Sequence, residues 1–133
     1  MSESDVDSLR RGYEAFNQRD MEGLLAFFDP DATWIPSSSA WGAGRAYHGH
    51  EGVARLFEDL ERDWQEFEAL PREFRQVGDL ILVLGGVRAI PRGGGQEIRS
   101  PTAWIWEMRA GKALRLQAYT DPRRALEALG VEE

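Results

Sequence analysis

Residue 66 separates two kinds of pattern. Before it, apolar side chains recur every three or four residues; after it, they alternate over long stretches broken by turn signals. Helices followed by a run of strands restrict the fold to an α+β layout, with helices packed on one face of a mostly antiparallel sheet. Val6, Leu9, Tyr13 and Phe16 mark a first helix over roughly Ser4–Gln18. Asp20 can cap a second, on which Met21, Leu24, Leu25 and Phe28 share a face, and Asp29-Pro30 stops it. Ala32–Pro36 reads as a short strand, and the Ser- and Gly-rich stretch Ser37–Gly52 as a long loop. A third helix over about Glu51–Gln65 buries Val53, Leu56, Phe57, Leu60 and Trp64.

Four strands follow: Phe67–Val77, Leu80–Pro91, Gln96–Arg109 and Lys112–Thr120. They are joined at Gly78-Asp79, at Gly93-Gly94-Gly95 and at Ala110-Gly111. A last helix starts at Asp121-Pro122 and ends at Gly130. The expected order is therefore α-α-β-α-β-β-β-β-α in one domain over residues 1–133, a length that supports a single hydrophobic core.

Composition excludes several classes of function. There is no cysteine, so neither a disulfide scaffold nor a thiolate metal site is available. The net charge is −7, concentrated before residue 67, which disfavours binding to phosphate backbones. The longest apolar run, Leu80–Leu84, cannot cross a membrane, and the acidic opening MSESDVDS is no signal peptide, so a cytoplasmic protein is expected.

Four phrases carry a family resemblance: YEAFNQRDMEGLLAFFDPDATW (Tyr13–Trp34), YHGHEGVARLFEDL (Tyr47–Leu60), the strand pair LILVLGGVRA and IRSPTAWIWEMRAGKALRL, and YTDPRRALEALG (Tyr119–Gly130). In order and spacing they resemble the NTF2-like superfamily, in its SnoaL-like and ketosteroid-isomerase-like branch. The resemblance implies a cone-shaped α+β barrel, a strongly curved sheet and helices enclosing one deep, mostly apolar pocket. It also implies a second copy paired on the outer sheet face, and no cofactor or metal. Fold alone leaves the activity open.

The isomerase of this branch uses an Asp base and an oxyanion hole of a Tyr and a protonated Asp. Carried over, those positions fall at Pro36, Gly12 and Ala103, none of which can do that work, and Tyr13 is expected to point elsewhere on its helix. The Asp–Arg–Asp set of related epoxide hydrolases fails as well, because no Asp lies within Leu80–Gln117.

The same carry-over turns Leu82, Leu84, Gly86 and Arg88 toward the cavity on one strand. On the next strands it turns Arg99, Pro101, Ala103 and Ile105 inward, then Leu114, Leu116, Ala118 and Thr120. Arg88 and Arg99 then hold an anionic or enolate oxygen, or else pair with Glu97 or Asp79 or reach out to solvent. His48 is a proton shuttle at the cavity mouth or a loop and cap residue; with His50 alone beside it, it makes a poor metal site. Asp121 is an acid–base group or a helix cap. Asp29 and Asp31 are expected in solvent. Trp41 lids the cavity or simply packs. Trp104, Trp106 and Tyr119 are expected on the outer face as the homodimer surface.

Two functions remain open. One is a protein that binds a small carbonyl or carboxylate compound, with cofactor-free acid–base chemistry of isomerase, cyclase or hydrolase type if it turns over. The other is a non-catalytic ligand-binding or dimerisation module. Neither involves nucleic acid or membrane.

Overall fold

The computed structural model describes residues 2–35 and 46–130. The elements run α1 (Ser2–Gln18), α2 (Met21–Phe27), β1 (Phe28–Ile35), β2 (Tyr47–His48), α3 (Gly49–Asp63), β3 (Trp64–Val77), β4 (Leu80–Pro91), β5 (Ile98–Arg109), β6 (Lys112–Tyr119) and α4 (Pro122–Leu129). The expected order holds, with the two-residue β2 added against β1. Trp64, expected on α3, instead opens β3. Among the described residues no helix is long and apolar enough to cross a membrane.

Six strands form one sheet in the order β2-β1-β6-β5-β4-β3. All neighbours are antiparallel except β1 and β6, which makes the sheet mixed and leaves it open, with β2 and β3 as its edges. Helix α1 packs on β3 and β6, and α3 on β1 and β3, so the sheet curves around both. A glycine pair in β4 helps it bend. A Cβ on Gly85 would collide with the Leu70 carbonyl oxygen, beside the point where β3 bulges between Pro71 and Glu73.

Side-chain chemistry sets the joints. Asp20 caps α2 by accepting the Gly23 amide at 3.0 Å. Asn17, at the end of α1, copies a strand neighbour: its amide donates to the Ala69 carbonyl at 2.8 Å and accepts the Ala69 N–H at 2.9 Å. Arg19 donates to the Phe67 carbonyl at 2.9 Å, so part of the open edge of β3 is satisfied by α1. Gly12 lets α1 approach α2; a Cβ there would stand 2.7 Å from the Phe27 ring. Strand β1 begins earlier than expected because Asp29 is held within it. Asp29 accepts the Asp31 amide at 2.9 Å and the Arg109 guanidinium at 3.0 Å, and is buried rather than solvated.

Both faces of the sheet are covered, and this reverses the expected facing of β4 and β5. Ile81, Val83, Val87 and Ala89 of β4, with Trp104 and Trp106 of β5, point into the main core. Leu82 and Ala103 point the other way, under Ala125 and Leu126 of α4, with Leu84, Ile105 and Tyr119 packed beside them. Trp104 and Trp106 are 5% and 4% exposed, so two of the three side chains expected to form a dimer surface are interior. The register explains why they turn together with β6: Trp104 pairs with Ala118 and Trp106 with Leu116.

Candidate functional site

The interior between sheet and helices contains a cavity of about 50 Å³. Helix α1 supplies Tyr13 and Phe16, the α2–β1 junction Phe27 and Phe28, the end of β1 Trp34, and β5 Thr102, Trp104 and Trp106; Leu116 and Ala118 of β6 close one side. Tyr13 reaches this position because it shares the buried face of α1 with Leu9 and Phe16. Its ring meets Trp104 edge-on at 5.3 Å and Trp106 at 5.6 Å.

Polar groups are few here. Trp106 Nε1–H donates to the Tyr13 hydroxyl at 3.1 Å, across 93 residues of sequence. Thr102, 1% exposed, donates from Oγ1 to the Ser100 carbonyl at 3.3 Å. Burial holds the Tyr13 phenol well above its ordinary pKa, against the smaller opposing effect of the Trp106 hydrogen bond. At neutral pH it is a neutral donor. No carboxylate, imidazole or guanidinium lines the cavity among the described residues.

The residues expected to act as a site do not meet there. Arg88 and Arg99 are directly opposite each other in the β4–β5 register, as expected, but on the outer side. Arg88 donates to Glu66 at 2.7 Å, Glu68 at 3.0 Å and Glu97 at 3.0 Å, and Arg99 donates to the other oxygen of Glu97 at 2.7 Å. Those bonds push the Arg88 pKa further up and hold Glu97 below the usual carboxylate range. Every Arg88 nitrogen thus faces a carboxylate of this chain, and three of its five N–H donors are taken up by them.

His48 is exposed, with Nδ1 3.3 Å from Thr33 Oγ1. It occupies the N-cap position of α3 without a side-chain cap bond. His50 Nε2 lies 2.9 Å from the Phe28 carbonyl oxygen, outside the cavity wall. Asp121 caps α4, accepting the Arg123 amide at 3.0 Å, and that bond first of all holds its pKa below the ordinary value. Ala103 lies under α4, while Leu116 is the expected residue that does line the cavity. Pro36 and Trp41 lie outside the described residues. Among the described residues no three His, Cys, Asp or Glu side chains gather as metal ligands.

Tyr13, Thr102, Trp104 and Trp106 were missed as cavity residues. A signal existed for the first, since Tyr13 sits on the apolar stripe of its helix. For the β5 residues, alternation names two possible faces without saying which is inside.

The comparisons with known proteins agree with this architecture. A SnoaL-like domain model matches residues 9–116. An NTF2-like protein of unknown function from Burkholderia pseudomallei is 27% identical, covers 95% of this chain and 97% of its own, and superposes with a TM-score of 0.80. TerC, crystallised with polyporic acid, is 25% identical over 96% of this chain and 98% of its own, with a TM-score of 0.78. A protein of ketosteroid-isomerase-like fold from Catenulispora acidiphila, solved with trimethylamine, shares the fold at 14% identity, 94% and 93% coverage and a TM-score of 0.74. No curated protein matches. The match over residues 9–116 and the shared NTF2-like fold establish that the chain belongs to the SnoaL-like family.

Proposed function

We propose that this chain binds a compact, uncharged, largely apolar small molecule in the cavity between its sheet and helices. The observation that carries the reading is the cavity itself: aromatic walls, no charged side chain among the described residues, and a tyrosine hydroxyl inside. TerC, crystallised with polyporic acid, supports a small-molecule role for the fold in this chain. The outward placement of Arg88 and Arg99 speaks against an anionic ligand. The positions of His48 and Asp121 give no support to acid–base turnover in the cavity, so binding is the activity proposed.

A second reading rests on the size of the cavity. A single water needs about 10–15 Å³ of such volume, so about 50 Å³ leaves room for only a few water-sized groups. On that reading the interior is a core filled by its own side chains.

Thermal unfolding against paired ligands separates the two. Neutral carbonyl compounds should raise the midpoint and the matching carboxylates should not. A ligand at 100 times its dissociation constant contributes roughly 2.7 kcal/mol, a shift of several degrees for a domain this size. Equal shifts for the carboxylates would return the anion site to consideration; no shift with either set would leave the filled-core reading.

A further inference from the structure

Resting on the cavity reading, we infer that small molecules enter the cavity through a portal between α1 and α2 that the Phe27 ring closes. Outside the cavity, α1, α2 and the β5–β6 turn at Gly111 border a surface groove of about 370 Å³. Among the described residues, Gly12 and Phe27 are the two that line both this groove and the cavity. The wall between outside and inside is therefore one side chain thick at that point. Gly12 adds no side chain to it, and the Phe27 ring fills the space instead, its Cε2 only 2.7 Å from where a Cβ on Gly12 would stand. On the cavity side the same ring meets Trp106, with centroids 5.6 Å apart.

Phe27 is placed to move. It is the last residue of α2, a helix of 7 residues, and β1 begins at the next position. The ends of short helices open at a fraction of the cost of unfolding the domain, because few bonds hold them. The groove, several times the volume of the cavity, gives the ring somewhere to turn. What opens is a slot about one aromatic ring wide, bordered by Gly12 and leading onto Trp106. Such a slot passes flat or slender molecules and holds back branched ones, so Phe27 is the specificity-determining residue of the entrance. The charged side chains of the groove, Arg11, Glu14 and Asp20, are exposed and stay outside.

Water, which fits a cavity of about 50 Å³, is the probe, and the buried Trp106 indole N–H is the reporter. Its exchange with solvent deuterium is followed by NMR of the ¹⁵N-labelled protein. Trp106→Phe assigns the signal, and the backbone amides of β5 report global opening. In the unmodified protein, indole exchange should depend on denaturant less steeply than exchange of the β5 amides, the mark of a local opening. Phe27→Ala should speed it about tenfold beyond any acceleration the β5 amides share. The opposite change comes from tying α1 to α2. A Cβ on Gly23 would stand 3.3 Å from that of Ala15, near the spacing of a disulfide, and the chain has no other cysteine. In Ala15→Cys/Gly23→Cys, oxidation should slow indole exchange about tenfold relative to the β5 amides, and reduction should restore it. Indole exchange that follows the β5 amides throughout overturns the portal, as does local exchange indifferent to both variants. Either result leaves the cavity reading to the thermal unfolding series, where failure of every neutral ligand would remove it whatever the exchange shows. Should Phe27→Ala not fold, the oxidised and reduced forms decide.

Discussion

Two polar clusters in this molecule differ in one respect. On the outer side of the sheet, Arg88 meets three carboxylates and Arg99 shares the third. Inside, Trp106 donates to the Tyr13 hydroxyl, whose own proton meets no acceptor among the described residues. The outer cluster is larger and more highly charged, and on residue type alone it looks more like a functional site. Its charges are matched within the chain, however, two guanidiniums against three carboxylates. A cluster of paired charges ties β3, β4 and the β4–β5 hairpin together; an aromatic wall around a small cavity leaves a place for something else. The comparison teaches that pairing within the chain, rather than charge, separates a staple from a site.

The largest effect should come from emptying the inner cluster. Trp106→Ala removes a buried indole and leaves Tyr13 without its partner, so it should cost about 3–5 kcal/mol in denaturant unfolding. A loss near that of an ordinary surface change would mean the cavity is already loose, and the contrast between the regions would weaken.

Next in size is the link between the helices and the edge of the sheet. Asn17→Ala removes two bonds to the Ala69 backbone and should cost about 1–3 kcal/mol, with faster amide exchange confined to β3 near residue 69. Exchange rising evenly along β3 would show that α1 does not protect that edge locally.

The pH dependence should then divide between the clusters. Glu97 is held below its ordinary value by Arg99 and Arg88, so its contribution is fully present above about pH 4.3 and is lost as pH falls through the lowered folded value. Tyr13 is raised by burial, so its contribution is present below about pH 10 and is lost as pH climbs from there through the raised folded value. Arg88→Met should flatten the acid side of a stability–pH curve and leave the alkaline side alone. Tyr13→Phe should do the reverse. Both variants altering the same side would break the division.

The smallest effects are expected at residues that looked catalytic in the sequence. His48→Ala and Arg99→Ala should each change the midpoint shift given by a neutral ligand in thermal unfolding by less than about one degree, since both side chains stand away from the cavity. Loss of the whole shift in either would place it at the ligand after all.

Local signals were legible where the chemistry is local. Asp20 and Asp121 could be read as caps because a short oxygen-bearing side chain before an apolar stripe satisfies free amides wherever the helix lies. The hairpin joint at Gly93-Gly94-Gly95 set the neighbours of β4 and β5, and the Arg88–Arg99 pairing followed. The buried side of β5 was not legible in the same way. In Thr102-Ala103-Trp104-Ile105-Trp106 both alternating sets are apolar enough to be buried, and here both are: one in the cavity, the other under α4. Exposure of one face is what normally tells a strand's sides apart, and α4 removed that difference.

By itself, then, the sequence determined the order of helices and strands, their caps and joints, and the α+β family these specify, because each depends on near neighbours. Only the tertiary structure decided that Trp104 and Trp106 point inward, that Arg88 pairs with carboxylates, and that Tyr13 accepts from Trp106. Those outcomes depend on contacts across 93 residues in one case and on a helix covering the far side of the sheet in another. No local periodicity encodes which of two apolar faces will be closed by which partner.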